Sequence, residues 1–161
     1  MNTILQTTSA FLILCSANMN AQCNVKTNYR PDGIIVNYMN PNVIGKGTGC
    51  ELGISLSTDG SDFYFNTSVL YFNSPKKIEG ELLIELSNNK SLMLQLFTSE
   101  LATINGSDVS VSVFLLTNSD VYELSNNRLK KVVFKENGGR NQIVMVNQNS
   151  DLASKQIKCL R

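Results

Sequence analysis

No histidine occurs among the 161 residues of this chain. Its absence removes imidazole acid–base catalysis, Ser-His-Asp and Cys-His nucleophile activation, and histidine-ligated zinc. What remains is the chemistry of carboxylates, lysines and oxygen ligands. Glu79, Glu81 and Glu85 have the even spacing that puts them on one face of a strand. Two carboxyls about 5–9.5 Å apart can hydrolyse a glycoside when a cleft raises the pKa of one. Here Ile78, Leu82, Ile84 and Leu86 share the opposite face, so the glutamates read as the solvated side of a strand. No catalytic residue is assigned. Asp59, Ser61 and Asp62 offer oxygens to calcium, but the rest of a D-x-[DN]-x-[DN]-G loop is missing. Asp59-Gly60 reads as a hairpin turn, and no metal ligand is assigned.

The glycines of Gly45-Lys46-Gly47-Thr48-Gly49 resemble a phosphate loop only at first sight. A dinucleotide fingerprint needs G-x-G-x-x-G between a strand and a helix, and a P-loop closes on Gly-Lys-Ser/Thr. Neither pattern is met, so the segment is expected to be a flexible loop or bulge, and no cofactor is expected. Asn66, Asn89 and Asn105 each begin an N-x-S/T sequon, a chance match in an Asn-rich chain. Charge is uneven along the sequence. Residues 22–117 hold 6 basic and 9 acidic side chains, a net of −3, and residues 118–161 hold 8 and 4, a net of +4. Arg128, Lys130, Lys131, Lys135 and Arg140 could form a basic patch for an anionic glycan or partner. Strict alternation sends Lys130 with Val132 and Lys131 with Leu129 and Val133, spreading the charge over both faces. An edge strand guarded by lysines is the simpler expectation.

The elements that must carry these residues are mostly strands. The apolar fraction of 42% and charged fraction of 17% suit a globular core, and a net charge of +1 gives no reason to expect nucleic acid. Arg30-Pro31-Asp32-Gly33 is a turn between strands near 24–29 and 34–39. Cys50, Leu52, Ile54 and Leu56 line one face of a strand over 49–57. From Asp62 to Phe72 both faces carry apolar residues, which predicts a central strand covered on both sides. Strands follow near 78–86, 92–97 and 109–115. A short helix is expected near 119–126, capped by Ser119 or Asp120. Strands near 129–135 and 141–147 and a helix near 150–160, opened by Asn149 or Ser150, complete the chain.

The N-terminus reads as a processing segment. Ala10 to Ala17 form an apolar run, and no Asp, Glu, Lys or Arg precedes Lys26. The run is well short of the ~20 residues a spanning helix needs, so a cleaved signal peptide over 1–21 is expected and a transmembrane anchor is not. Cleavage fits after Ala17 or Ala21. The mature part, 22–161, is expected to be one β-rich domain, periplasmic or extracellular.

Removing Cys15 with that segment leaves Cys23, Cys50 and Cys159, hence at most one intramolecular bridge. Cys50 sits on an apolar strand face, where a free thiol is comfortable. Cys23 and Cys159 lie near the mature termini, which often meet in compact domains. Cys23–Cys159 is therefore the expected pair, with Cys50–Cys159 as the alternative.

Leu116-Thr117-Asn118-Ser119-Asp120, the strand Lys130 to Phe134, and the ending Cys159-Leu160 stand in an order that resembles small exported proteins of Gram-negative bacteria. These share a signal peptide, antiparallel strands and a C-terminal helix ending Cys-Leu. The resemblance implies export and layout and carries no activity.

The expected fold is mainly β: an antiparallel β-sandwich or curved two-layer sheet of about nine strands with two helices. The expected function is an exported, non-enzymatic module that binds a glycan, a protein or an envelope component. The alternatives are a structural or inhibitory partner of another exported protein, and a carboxylate-based hydrolase. An exposed patch of Tyr and Phe favours binding, and a deep pocket with convergent carboxylates favours the enzyme.

Overall fold

Alternating apolar residues and well-placed turns build a mainly β, antiparallel structure. A computed structural model describes residues 23–104 and 106–161; the expected signal segment 1–21, Cys15 and the Asn105 sequon lie outside those residues. In chain order the strands are β1 (Lys26–Tyr29), β2 (Ile35–Tyr38), β3 (Asn42–Gly47), β4 (Cys50–Thr58), β5 (Phe63–Tyr71), β6 (Ile78–Leu86), β7 (Ser91–Ile104) and β8 (Ser107–Leu116). Helix α1 (Asn118–Asn126), β9 (Leu129–Glu136), β10 (Asn141–Met145) and α2 (Leu152–Leu160) follow. The strands are ordered β1-β2-β4-β5-β8-β7-β6-β9-β10, and β3 lies beside β2 on the same edge of β4.

Strand β7 joins two layers. Ser91 to Leu94 pair with β6, whereas Gln95 to Ile104 pair with β8, and a bulge between Leu96 and Thr98 marks the change. The first layer is β1–β5, β8 and the later part of β7; the second is β6, β9, β10 and the start of β7. Between them lies one core that includes Leu52, Leu56, Phe65 and Phe114 from the first layer and Ile84, Leu94, Val132 and Phe134 from the second. The free edges of β3 and β10 meet without closing the sheet. Past the end of β10, Asn147 and Gln148 donate backbone N–H groups to the Ile44 carbonyl.

That meeting explains the strand missed from the sequence. Among the described residues there are ten strands, and the additional one is β3, built on the glycine segment expected to be a loop. Glycine is depleted in strands, so local preference argues against the assignment. Close approach requires it: a Cβ on Gly45 would collide with the Met145 carbonyl oxygen, and one on Gly47 would lie 3.0 Å from Cys50 Sγ. Thr48 and Gly49 then form the two-residue turn into β4, with Gly49 at φ +75°.

Both helices sit at the end of the core marked by Leu56 and Leu116. Thr117 caps α1, in place of the expected Ser119 or Asp120. Its hydroxyl accepts from the Asp120 N–H (3.2 Å), and the Asp120 carboxylate accepts from the Thr117 N–H (2.9 Å). Asp151, not Asn149 or Ser150, is the N-cap of α2, and its side chain makes no capping bond. Gln156 of α2 is buried and fills the gap between β2 and β3 on the edge of β4. Its Oε1 accepts from the Leu56 N–H (2.7 Å) and its Nε2 donates to the Asn40 carbonyl (3.3 Å). Cys23 is bonded to Cys159, with Cα atoms 5.5 Å apart, and this ties the start of the β1–β2 hairpin to the end of α2. Cys50 is free and buried, so the Cys50–Cys159 alternative is not formed. Burial is the main cause that raises its pKa.

Candidate functional site

The register of β4, β5, β8 and β7 defines what the outer face of the first layer presents. Directly paired residues share a face. One row is Ser55, Asn66, Val113 and Thr98; its neighbours are Gly53, Ser68, Val111 and Glu100, then Ser57, Tyr64, Leu115 and Gln95. The floor is therefore small hydroxyl and amide side chains with two valines, not a second apolar core. The β1–β2 hairpin and residues 39–41 stand over one side of it. They enclose an open hollow of about 570 Å³ lined by Asn28, Tyr38, Ser55, Asn66 and Glu100 among others. A second hollow of about 290 Å³ shares Arg30, Val36, Ser57, Asn66 and Val113 and extends to Tyr64 and Phe97. Together they form one groove.

Its aromatic end is held in place. The Tyr64 hydroxyl donates to Asp59 Oδ2 (2.9 Å), and its ring stands 6.0 Å from that of Phe97 in a tilted arrangement. Partial burial, and then the Asp59 carboxylate, push the Tyr64 pKa up to about 12. Asp59 is held below the usual carboxylate value, chiefly by the Asp62 N–H and also by the Tyr64 hydroxyl. Its Oδ1 accepts from the backbone of Ser61 (3.0 Å) and Asp62 (2.8 Å). The Asp59–Ser61–Asp62 group is thus a hairpin turn that buttresses Tyr64. On the floor Asn66 Nδ2 donates to Ser57 Oγ (3.0 Å). Arg30 overhangs the groove while paired with Asp32 (2.8 Å) in the hairpin turn.

The expectation that β5 is covered on both sides is corrected here. Phe65, Val69 and Tyr71 face the core, but Tyr64, Asn66, Ser68 and Leu70 are only half-buried, and Phe72 is exposed. Of the apolar residues on the second face, Tyr64 lines the groove. Phe97, 66% exposed, was legible only as the residue opposite a leucine row. Among the described side chains lining the two hollows, Glu100 is the one carboxylate.

The five basic residues do not gather into a free patch. Lys130 and Lys131 both pair with Glu85, at 2.6 and 2.5 Å, which holds its pKa down to about 2. The expected alternation fails because a bulge between Leu86 and Glu85 on the β6–β9 pair leaves Leu129 and Val132 both buried and turns both lysines outward. Nor is β9 an edge strand, since it runs between β6 and β10. Lys135 lies opposite Glu79. Arg128 belongs to the helix end, near Asp151. Arg140 lines a separate small pocket. Of the three glutamates, Glu79 and Glu81 are exposed as expected, and Glu81 accepts from Gln95. Among the described residues no group of three or more Cys, Asp or Glu is placed to hold a metal ion, and no helix is long and apolar enough to cross a membrane.

Comparison with known proteins finds no matching family model, no matching curated protein and no matching solved structure.

Proposed function

We propose that this chain is an exported, non-enzymatic binding module that takes a glycan chain in the groove on the outer face of its first layer. One observation carries the reading: a floor of Ser55, Ser57, Asn66 and Ser68 runs up to an aromatic end of Tyr64 and Phe97. Hydroxyl and amide groups both donate and accept, which suits a ligand covered in hydroxyls. Rings that are apolar on the face and polar at the edge suit the alternating faces of a sugar ring. A single carboxylate in the groove, Glu100, supplies no acid–base pair. Export is supported by the apolar run Ala10–Ala17 and by the Cys23–Cys159 bridge, since disulfides persist in oxidising compartments.

Affinity capture from the native secretome, followed by a glycan array probed with the oxidised protein, tests the proposal. Binding to one glycan class supports it. Silence on the array together with capture of a single exported protein favours the structural or inhibitory alternative.

A further inference from the structure

The two ends of the core are closed in different ways. Helices α1 and α2 cover the end at Leu56 and Leu116 with apolar side chains such as Leu124 and Ile157. The opposite end, where the β3–β4 and β9–β10 turns meet, is polar. It holds a pocket of about 140 Å³ lined by Tyr71, Lys76, Glu136, Arg140 and Gln142 together with small turn residues. A water's share of liquid volume is about 30 Å³, so the space exceeds what one ordered water fills.

Glu136 stands on the core face of β9 in line with Val132 and Phe134, and is 1% exposed. Its Oε2 accepts from Lys76 Nζ (3.0 Å) and its Oε1 from Gln142 Nε2 (2.7 Å). Gln142 is itself buried and also donates to the Thr48 carbonyl (3.2 Å). A buried carboxylate satisfied on both oxygens is an intact polar plug. Two donors on the wall are left over. The Tyr71 hydroxyl is buried beside the Glu136 carboxylate yet makes no hydrogen bond of ordinary geometry, although a buried hydroxyl normally finds one. Burial, followed by the charge of Glu136, pushes its pKa up, so it keeps its proton as a donor. The Arg140 guanidinium, among the described residues, enters no ion pair or side-chain hydrogen bond, and its planar fork matches a carboxylate.

We propose that this polar mouth is a second binding site, for a small monocarboxylate held by the Arg140 guanidinium and the Tyr71 hydroxyl. Charge selects the ligand. Lys76 and Arg140 against Glu136 leave one net positive charge on the wall, which a monoanion balances. A phosphate dianion would leave negative charge in excess beside a buried carboxylate.

The test uses the full oxidised chain at pH 7 and constant ionic strength. Acetate, D-glucuronate and inorganic phosphate are titrated against chloride while thermal unfolding and the arginine Nε–H resonances are followed. Acetate or glucuronate should raise Tm with concentration, as ligand linkage requires, and move one arginine resonance. Arg140→Gln should weaken that response about tenfold or more. Tyr71→Phe removes a hydroxyl that makes no well-formed hydrogen bond, so it should fold about as stably as the parent and still lose several-fold in the response. Equal Tm in acetate and chloride would overturn the proposal, as would a response that survives unchanged in both variants. A response to phosphate alone overturns the carboxylate assignment.

Discussion

The outer faces of the two layers use their polar side chains in opposite ways. On the second layer Lys130 and Lys131 close on Glu85, and Lys135 lies across from Glu79. Charges there satisfy one another and present a surface already complete. On the first layer the floor is small hydroxyl and amide side chains with one carboxylate, Glu100, and the β1–β2 hairpin stands over it. Among the described floor side chains, Asn66 donates to Ser57. The contrast separates a surface whose charges are paired from one whose polar groups stay open to a ligand of the proposed kind.

The largest expected effect comes from cutting the tether of that overhanging hairpin. Cys159→Ala leaves Cys23 unpaired and should cost about 2–5 kcal/mol of stability, because the bridge closes a loop of 136 residues. Denaturant unfolding measures the loss. Glycan binding should fall with it, since the hairpin forms one wall of the groove, while the ion pairs around Glu85 stay as they are. An unchanged unfolding midpoint would show that the bridge does not restrain the hairpin.

Gln156→Leu comes next. It strands the Leu56 N–H on the edge of β4, at about 1–3 kcal/mol for the buried donor, while the exposed Asn40 carbonyl keeps Asn42 Nδ2 as a donor. Amide hydrogen exchange should show the loss locally: Leu56 should lose protection while the second-layer strands β9 and β10 keep theirs.

A smaller effect belongs to the second layer. Glu85 is ionised down to about pH 2 in the folded protein, against 4.5 for an ordinary glutamate. Its ion pairs therefore stabilise the fold fully above pH 4.5, and that contribution drains away as pH falls from 4.5 to about 2. Glu85→Gln should flatten the stability–pH curve in that window. Salt should weaken the parent's advantage at neutral pH as well. A curve of the same shape in the variant would mean that Lys130 and Lys131 do not act through Glu85.

Much of the fold was legible because strand alternation is a local signal. The core face Cys50–Leu52–Ile54–Leu56 and the turn at Pro31-Asp32-Gly33 are written in adjacent residues. The disulfide followed from counting cysteines once the expected signal segment was set aside. What escaped depends on distant chain. Strand β3 exists because it pairs with β4, and its glycine is required where the end of β10 closes on Gly45, whereas glycine content alone argues for a loop. The outward turn of Lys130 depends on a bulge set by pairing with β6. The groove was half visible: apolar residues on both faces of β5 were a true signal, misread as double burial, because the sequence does not say which strands leave a face uncovered. Glu136 was also open to detection, as a charge in register with Val132 and Phe134 on a core face.

A three-protein glycan array tests the first-layer groove directly. The parent, Phe97→Ala and Lys135→Gln are compared side by side; both substituted residues are exposed, so all three should fold alike. Stacking on an aromatic ring is worth about 0.5–1.5 kcal/mol, so Phe97→Ala should bind the parent's glycans roughly 2- to 10-fold more weakly. Lys135→Gln, on the opposite face, should bind as the parent does. Equal binding by Phe97→Ala, or a loss confined to Lys135→Gln, would contradict the assignment of the groove.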